Sequence, residues 1–167
     1  LAAAREFSDP RQVARAAGDL AVVSVLLDAG AGPAWCYREE LTGETHVRSE
    51  GLAIASLAMF AAGLFSGVPA DPLRADAVVL ARLTEEELAG GMQAGPDNPV
   101  VGLAGRTQLL ARLAHVMENR RDVFALEDDP RPGGLIDALV AEARDEMLPA
   151  ATILDVILDA LTPVFPG

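Results

Sequence analysis

The sequence predicts a mainly α, irregular helical domain with one short β-hairpin, and three observations carry that expectation. Apolar residues make up 51% of the 167 residues but aromatic residues only 4%. The core is therefore built from Ala, Leu and Val, a diet that suits close helix packing better than a sheet. Helix starts recur along the chain, each marked by a capping side chain, a proline at the first position, or both. Strand-like runs are nearly absent outside residues 34–48.

The first helix spans Asp9 to Gly30. Asp9 caps it, Pro10 takes the first position, and Val13, Ala16, Ala17, Leu20, Val23 and Leu27 form its apolar face. The stretch 21–27 is apolar almost all round, which predicts burial on more than one side. Gly30, Gly32 and Pro33 end it. Residues 34–48 then read as a ribbon: Thr42-Gly43 supplies the turn, and Trp35, Tyr37, Thr45 and Val47 supply the alternation. A lone two-stranded ribbon is marginal, so it must lie against helices.

Ser49 caps a second helix through Gly51, Leu52, Ala53, Leu57, Phe60, Ala61 and Leu64, closed by Gly67-Val68-Pro69. Asp71-Pro72 repeats the cap-then-proline device and starts a short helix with Leu73, Ala77 and Leu80. Thr84-Glu85-Glu86-Glu87 is a capping box that opens a helix ending before Gly90-Gly91. Beyond the loop 91–102, a long helix carries Leu103, Leu109, Leu110, Leu113, Val116 and Met117. Asp128 to Gly134 is a surface loop, followed by helices over about 135–146 and 149–163. Ile153, Val156, Ile157, Ala160 and Leu161 form the last stripe.

Thirteen Lys and Arg against 25 Asp and Glu give a net charge of −12. That balance excludes a general nucleic-acid backbone binder, yet allows a small anionic substrate held by one or two arginines. Cys36 is the single cysteine, so an intrachain disulfide and a zinc thiolate cluster are both excluded, and a reducing, cytoplasmic setting is expected. The apolar runs are too short for a membrane-spanning helix, and no membrane partner is expected. The chain starts at Leu1 without a signal-like segment. It reads as one helical domain over 1–167, or as an internal piece whose missing flanks are partners of the same protein, with homo-oligomerisation open.

GxGxxG, Walker A, HExxH, GxSxG and CxxC motifs are all missing, and His46 and His115 stand apart, so neither cofactor nor metal is expected. Asp28 is the most suggestive residue. It follows an apolar helix, where a desolvated carboxylate can steady a cationic transition state or activate water; alternatively it accepts amides of the turn 29–32. Glu50 and Arg48 stand at a helix start that suits a phosphate or carboxylate, or they simply pair there. Trp35 and Tyr37 either stack on a planar substrate or cover the core. Asp97-Asn98, between Pro96 and Pro99, is either a stiff tip reaching into a cleft or a locally bonded turn.

The runs Asp19–Tyr37, Thr42–Thr45 and Arg48–Phe60 resemble the uracil catabolism protein 4 family. Asp71–Asp76, Pro96–Arg106 and Leu148–Ala150 are similar to the same family, so the resemblance covers essentially the whole chain. It implies a place in a pathway that takes uracil, through its nucleotide and a ring-opened ribosyl-urea compound, towards urea. Leu83–Leu88, with Gly105-Arg106 opening a long helix, more weakly resembles the queuosine salvage family of nucleotide N-ribosyl hydrolases. That likeness implies a helical frame akin to DNA glycosylases and, through Val25-Leu-Leu-Asp28, an active-site role for Asp28. The Tyr-Arg-Val-Pro of that family is replaced here by Ala29-Gly-Ala-Gly-Pro33. The expected activity is hydrolysis of an N-ribosyl bond in a uracil-derived nucleotide or ribosyl-urea compound. Asp28 and Glu50 are its candidate catalytic carboxylates, with Trp35, Tyr37, Arg48 and Asp97 on the substrate. The alternative is a non-catalytic scaffold or small-molecule binding module of the same pathway.

Overall fold

The computed structural model describes residues 10–27, 35–68, 75–124 and 150–165. Its elements are α1 (Pro10–Leu27), β1 (Cys36–Arg38), β2 (Thr45–Val47), α2 (Ser49–Ala61), α3 (Ala77–Arg82), α4 (Glu85–Gly91), α5 (Leu103–Asn119), α6 (Arg121–Phe124) and α7 (Ala150–Leu161). The fold is mainly α, with β1 and β2 paired antiparallel as a two-stranded ribbon, in line with the composition. α1 and α5 pack on each other; α1 also meets α2, α6 and α7, and α5 meets α3, α4, α6 and α7. Val22, Val25 and Leu26 of α1 join Leu110, Leu113 and Met117 of α5 in the core, with Phe124 and Ile157. Both strands lie on α2, which gives the ribbon the support it needs.

Several expected boundaries move, each for a local reason. Asp76 caps α3 by accepting from the amides of Val78 and Val79 at 2.8 and 3.1 Å. The expected start at Asp71 lies outside the described residues, and the extended backbone of Asp76 rules out one helix through Ala77 from further upstream. Arg48, not Ser49, is the N-cap of α2; it takes φ 56° and makes no side-chain capping bond. α2 stops at Ala61, short of Leu64, and Gly63 follows with φ 78°. The turn after it brings Phe65 edge-on to Phe60, with ring centroids 4.9 Å apart.

The capping box of α4 forms as read: Thr84 Oγ1 accepts from Glu87 N at 3.2 Å, and Glu87 Oε2 accepts from Thr84 N at 2.9 Å. The bonds that the Glu87 carboxyl accepts from Thr84 N and, also at 2.9 Å, from Thr84 Oγ1 hold it below its ordinary range. α4 does not stop before Gly90-Gly91. A Cβ on Gly91 would stand 2.6 Å from Met59 Sδ, so glycine there permits close packing on α2 and does not break the helix. The helix runs through Gly91, and Gln93, with φ of 52°, sets the left-handed step of the Schellman turn that follows. Gln93 N bonds Gly90 O at 3.0 Å, and Ala94 N bonds Ala89 O at 2.8 Å.

One burial expectation is corrected, and the faces of the ribbon are now fixed. α1 is buried on more than one side, with Ala21, Val22, Val25 and Leu26 enclosed between its neighbours, but Leu20 and Leu27 of the expected apolar face are 65% and 54% exposed. Leu20 and Ser24 instead line an apolar groove of about 490 Å³ with Leu158, Leu161 and Phe165. In the ribbon, Trp35 and Tyr37 turn inward, but Thr45 and Val47 turn outward, with His46 between them half-buried. The register pairs Tyr37 with His46, which puts these two side chains on one face.

Candidate functional site

Of the described sequence-selected residues, Trp35, Arg48 and Glu50 lie where β1 begins, at the end of the ribbon away from its turn. Gly51 sets the approach of α2 to this end. A Cβ there would meet His46 O at 2.7 Å and Trp35 Cζ3 at 3.1 Å, so the first turn of α2 lies directly on the ribbon. Arg48 N donates to Trp35 O at 3.2 Å, which closes the ribbon's open end against the start of α2. Arg48 and Glu50 are therefore neighbours here, and both side chains are exposed. Trp35 is fully buried and donates Nε1 to Met92 O at 2.9 Å; Tyr37 is buried as well. Burial raises the Tyr37 phenol above its ordinary pKa, with the negative charges of Glu40 and Glu39 adding to the effect.

The loop after α4 is held to β1 by two side-chain amides. Asn98 Oδ1 accepts from Cys36 N at 2.8 Å, and its Nδ2 donates to Cys36 O at 2.7 Å and to Gln93 O at 2.8 Å. Gln93 does the same one step along: Oε1 accepts from Arg38 N at 2.9 Å and Nε2 donates to Arg38 O at 2.7 Å. Of the tip Asp97-Asn98, then, Asn98 is a structural clamp, while Asp97 is exposed in a turn closed by Gly95 and Asn98.

Arg106 completes the junction. It is 1% exposed, on the first turns of α5. Its Nε donates to Leu26 O at 3.0 Å, at the C-terminal end of α1, and its Nη1 donates to Val101 O. Helix carbonyls at a C-terminus carry partial negative charge, so a guanidinium is well placed there. In the sequence Arg106 figures only within a family resemblance. The available signal was its place on the buried stripe of α5, between Leu103 and Leu110 at helical spacing. Asp28 lies outside the described residues, as do 29–34; the chain order sets Asp28 two residues beyond Leu26.

At the turn end of the ribbon stands a second group that the sequence reading did not assemble. One ligand atom each from Glu39, Glu44 and His46 lies within 4.8 Å of the others. His46 Nε2 is 3.5 Å from Glu39 Oε2. Elsewhere His115 pairs with Asn119 on α5 at 2.9 Å, far along the sequence from this group.

A family model described as "Protein of unknown function (DUF1688)" matches residues 1–167. The chain belongs to the DUF1688 family. Over 164 residues it is 34% identical to "Uracil catabolism protein 4" of Lachancea kluyveri, a match covering 95% of this chain and 37% of that protein. Over 117 residues it is 40% identical to "Protein urg3" of Schizosaccharomyces pombe, covering 70% of this chain and 29% of the relative. The DUF1688 chain described here thus spans about a third of the length of the curated relatives it matches. No solved structure matches it. Among the described residues of this DUF1688 chain, no helix is long and apolar enough to cross a membrane.

Proposed function

We propose that this DUF1688 chain contributes to uracil catabolism by hydrolysing the N-ribosyl bond of a uracil-derived nucleotide or ribosyl-urea compound. The observation that carries the reading is the 34% identity, over 95% of the chain, to a protein named for uracil catabolism. In the reaction, water adds to the anomeric carbon while the carbon–nitrogen bond breaks and its electron pair leaves with the nitrogen. A carboxylate accepts the proton of the water and faces the positive charge that develops on the sugar. Asp28 takes that role, just past the α1 end that Arg106 engages. Glu50 and Arg48, exposed at the start of α2, attend the sugar or phosphate, and the exposed Asp97 lies on the neighbouring loop tip. Trp35 and Tyr37, both buried, can stack on a planar base only after local opening of the ribbon. The finer fold reading, a helical frame akin to DNA glycosylases, belongs to this proposal and rests on the queuosine-salvage resemblance.

The burial of Trp35 and Tyr37 favours a second reading, a non-catalytic scaffold or binding module of the same pathway, since both rings are withheld from a ligand. Incubating the full-length protein with uracil-pathway nucleotides and ribosyl-urea, and following urea and free sugar by mass spectrometry, separates the two. Turnover supports the hydrolase, and Asp28→Asn then lowers it by roughly 10²–10³-fold with little change in melting temperature. An Asp28→Asn protein that turns over and melts normally overturns the role given to Asp28. A protein without turnover of any of these compounds favours the scaffold.

A further inference from the structure

We propose that Glu39, Glu44 and His46 form a binding site for a divalent transition-metal ion of the zinc class at the turn end of the ribbon. The strand register builds the group. Tyr37 pairs with His46 and Arg38 with Thr45, so the next rung sets Glu39 opposite Glu44, joined by Glu39 N to Glu44 O at 2.9 Å. Side chains two apart on a strand share a face, which places Glu44 and His46 together with Glu39 across from them. Like charges directly opposite on a ribbon destabilise it. Two carboxylates on one rung repel each other modestly, and a cation between them and the imidazole relieves that repulsion.

The polar atoms carry the marks of a ligand set. His46 Nε2 is shut off from solvent and makes no hydrogen bond, although the exposed turn is a few residues away. Glu39 Oε2 stands 3.5 Å from it, close to the edge of a tetrahedron whose centre is about 2.0–2.2 Å from each ligand atom. Thr42 Oγ1 donates to the same Glu39 oxygen at 2.8 Å, and Gly43 N donates to Glu39 O at 2.8 Å, so the carboxylate is oriented by the turn. Such outer bonds are how proteins aim first ligands at an ion. One imidazole with two carboxylates suits zinc-like ions better than the all-oxygen cages of calcium and magnesium. With three protein ligands, a fourth position remains for water or a small ligand. All three ligands come from one hairpin supported by α2.

This assignment does not depend on the hydrolase reading, because its readout is metal binding. The test is titration of the chelator-treated, dialysed chain with zinc by calorimetry, and with cobalt(II) by visible absorption. The expected result is one ion per chain, with tetrahedral cobalt bands. His46→Ala, Glu39→Gln and Glu44→Gln each weaken binding at least about tenfold, the lower bound already seen for outer-shell partners. The two Gln variants keep side-chain volume, and unchanged circular dichroism shows that they fold. His115→Ala, on exposed α5 surface, leaves binding unchanged. A wild-type chain without a saturable one-to-one isotherm overturns the site. So do Gln variants that bind like wild type, or loss of binding in His115→Ala alone.

Discussion

The two ends of the ribbon are built on opposite principles. At the open end, each polar group of β1 that faces away from β2 meets a neutral amide, and Trp35 gives its indole hydrogen to Met92 O. At the turn end, two carboxylates and an imidazole face one another, and the imidazole nitrogen has no hydrogen-bond partner. One end spends its polarity on rigidity, since satisfied neutral bonds in a partly dry setting fix a single geometry. The other keeps charge in reserve, at a cost in stability. Within the ribbon, then, structural polarity is carried by Asn, Gln and Trp at one end, and the ionisable groups gather at the other.

The largest effect that would break this picture comes from Gly51. Its missing Cβ leaves room for His46 O and Trp35 at once, and the nearer contact is backbone that cannot step aside. Gly51→Ala is expected to destabilise the chain by about 3 kcal/mol through overpacking, read from the midpoint of urea unfolding. A loss well under 1 kcal/mol would mean that the α2 start and the ribbon are not firmly joined.

Asn98→Ala comes next. It strips partners from Cys36 N, Cys36 O and Gln93 O, all in a part-buried setting, and is expected to cost about 2 kcal/mol. Faster hydrogen exchange at Cys36 than at Tyr37 in the variant would locate the loss on β1.

Glu44→Gln is the smallest change, and its sign sharpens the comparison. Without metal it removes the repulsion across from Glu39 and is expected to stabilise the chain by less than about 1 kcal/mol. With zinc present the order reverses, because the wild type gains binding energy that the variant forfeits. Thermal unfolding of both chains with and without zinc reads this crossing directly.

Helix identity was legible in the sequence because periodicity and caps are local. Thr84 with Glu87, and the stripe Leu110, Leu113 and Met117, needed no tertiary information. The reading failed where one residue serves a distant partner. Gly91 looks like a helix stop until Met59 is seen pressing on it. Gln93 resembles any loop residue, yet it tolerates a left-handed backbone that glycine would adopt more easily, and only its side chain reaches Arg38. Asn98 was read with Asp97 as one tip, but the two diverge because Cys36 selects the amide. The alternation of Thr45 and Val47 marks a strand without fixing its faces, and both side chains turn outward, since alternation in a three-residue strand cannot tell one face from the other. The group of Glu39, Glu44 and His46 follows from the strand register and from nothing shorter.

The amides of Gln93 and Asn98 have a consequence for the behaviour of the chain in a crowded solution. A short strand with bare outward N–H and C=O groups is a template on which any extended segment of another molecule can add. Here the four such groups of Cys36 and Arg38 are already taken by side chains that cannot propagate a ladder. Gln93 and Asn98 act as blunt ends, shaped like a third strand for two rungs and then stopping, so β1 offers no growing face for fibril-like assembly.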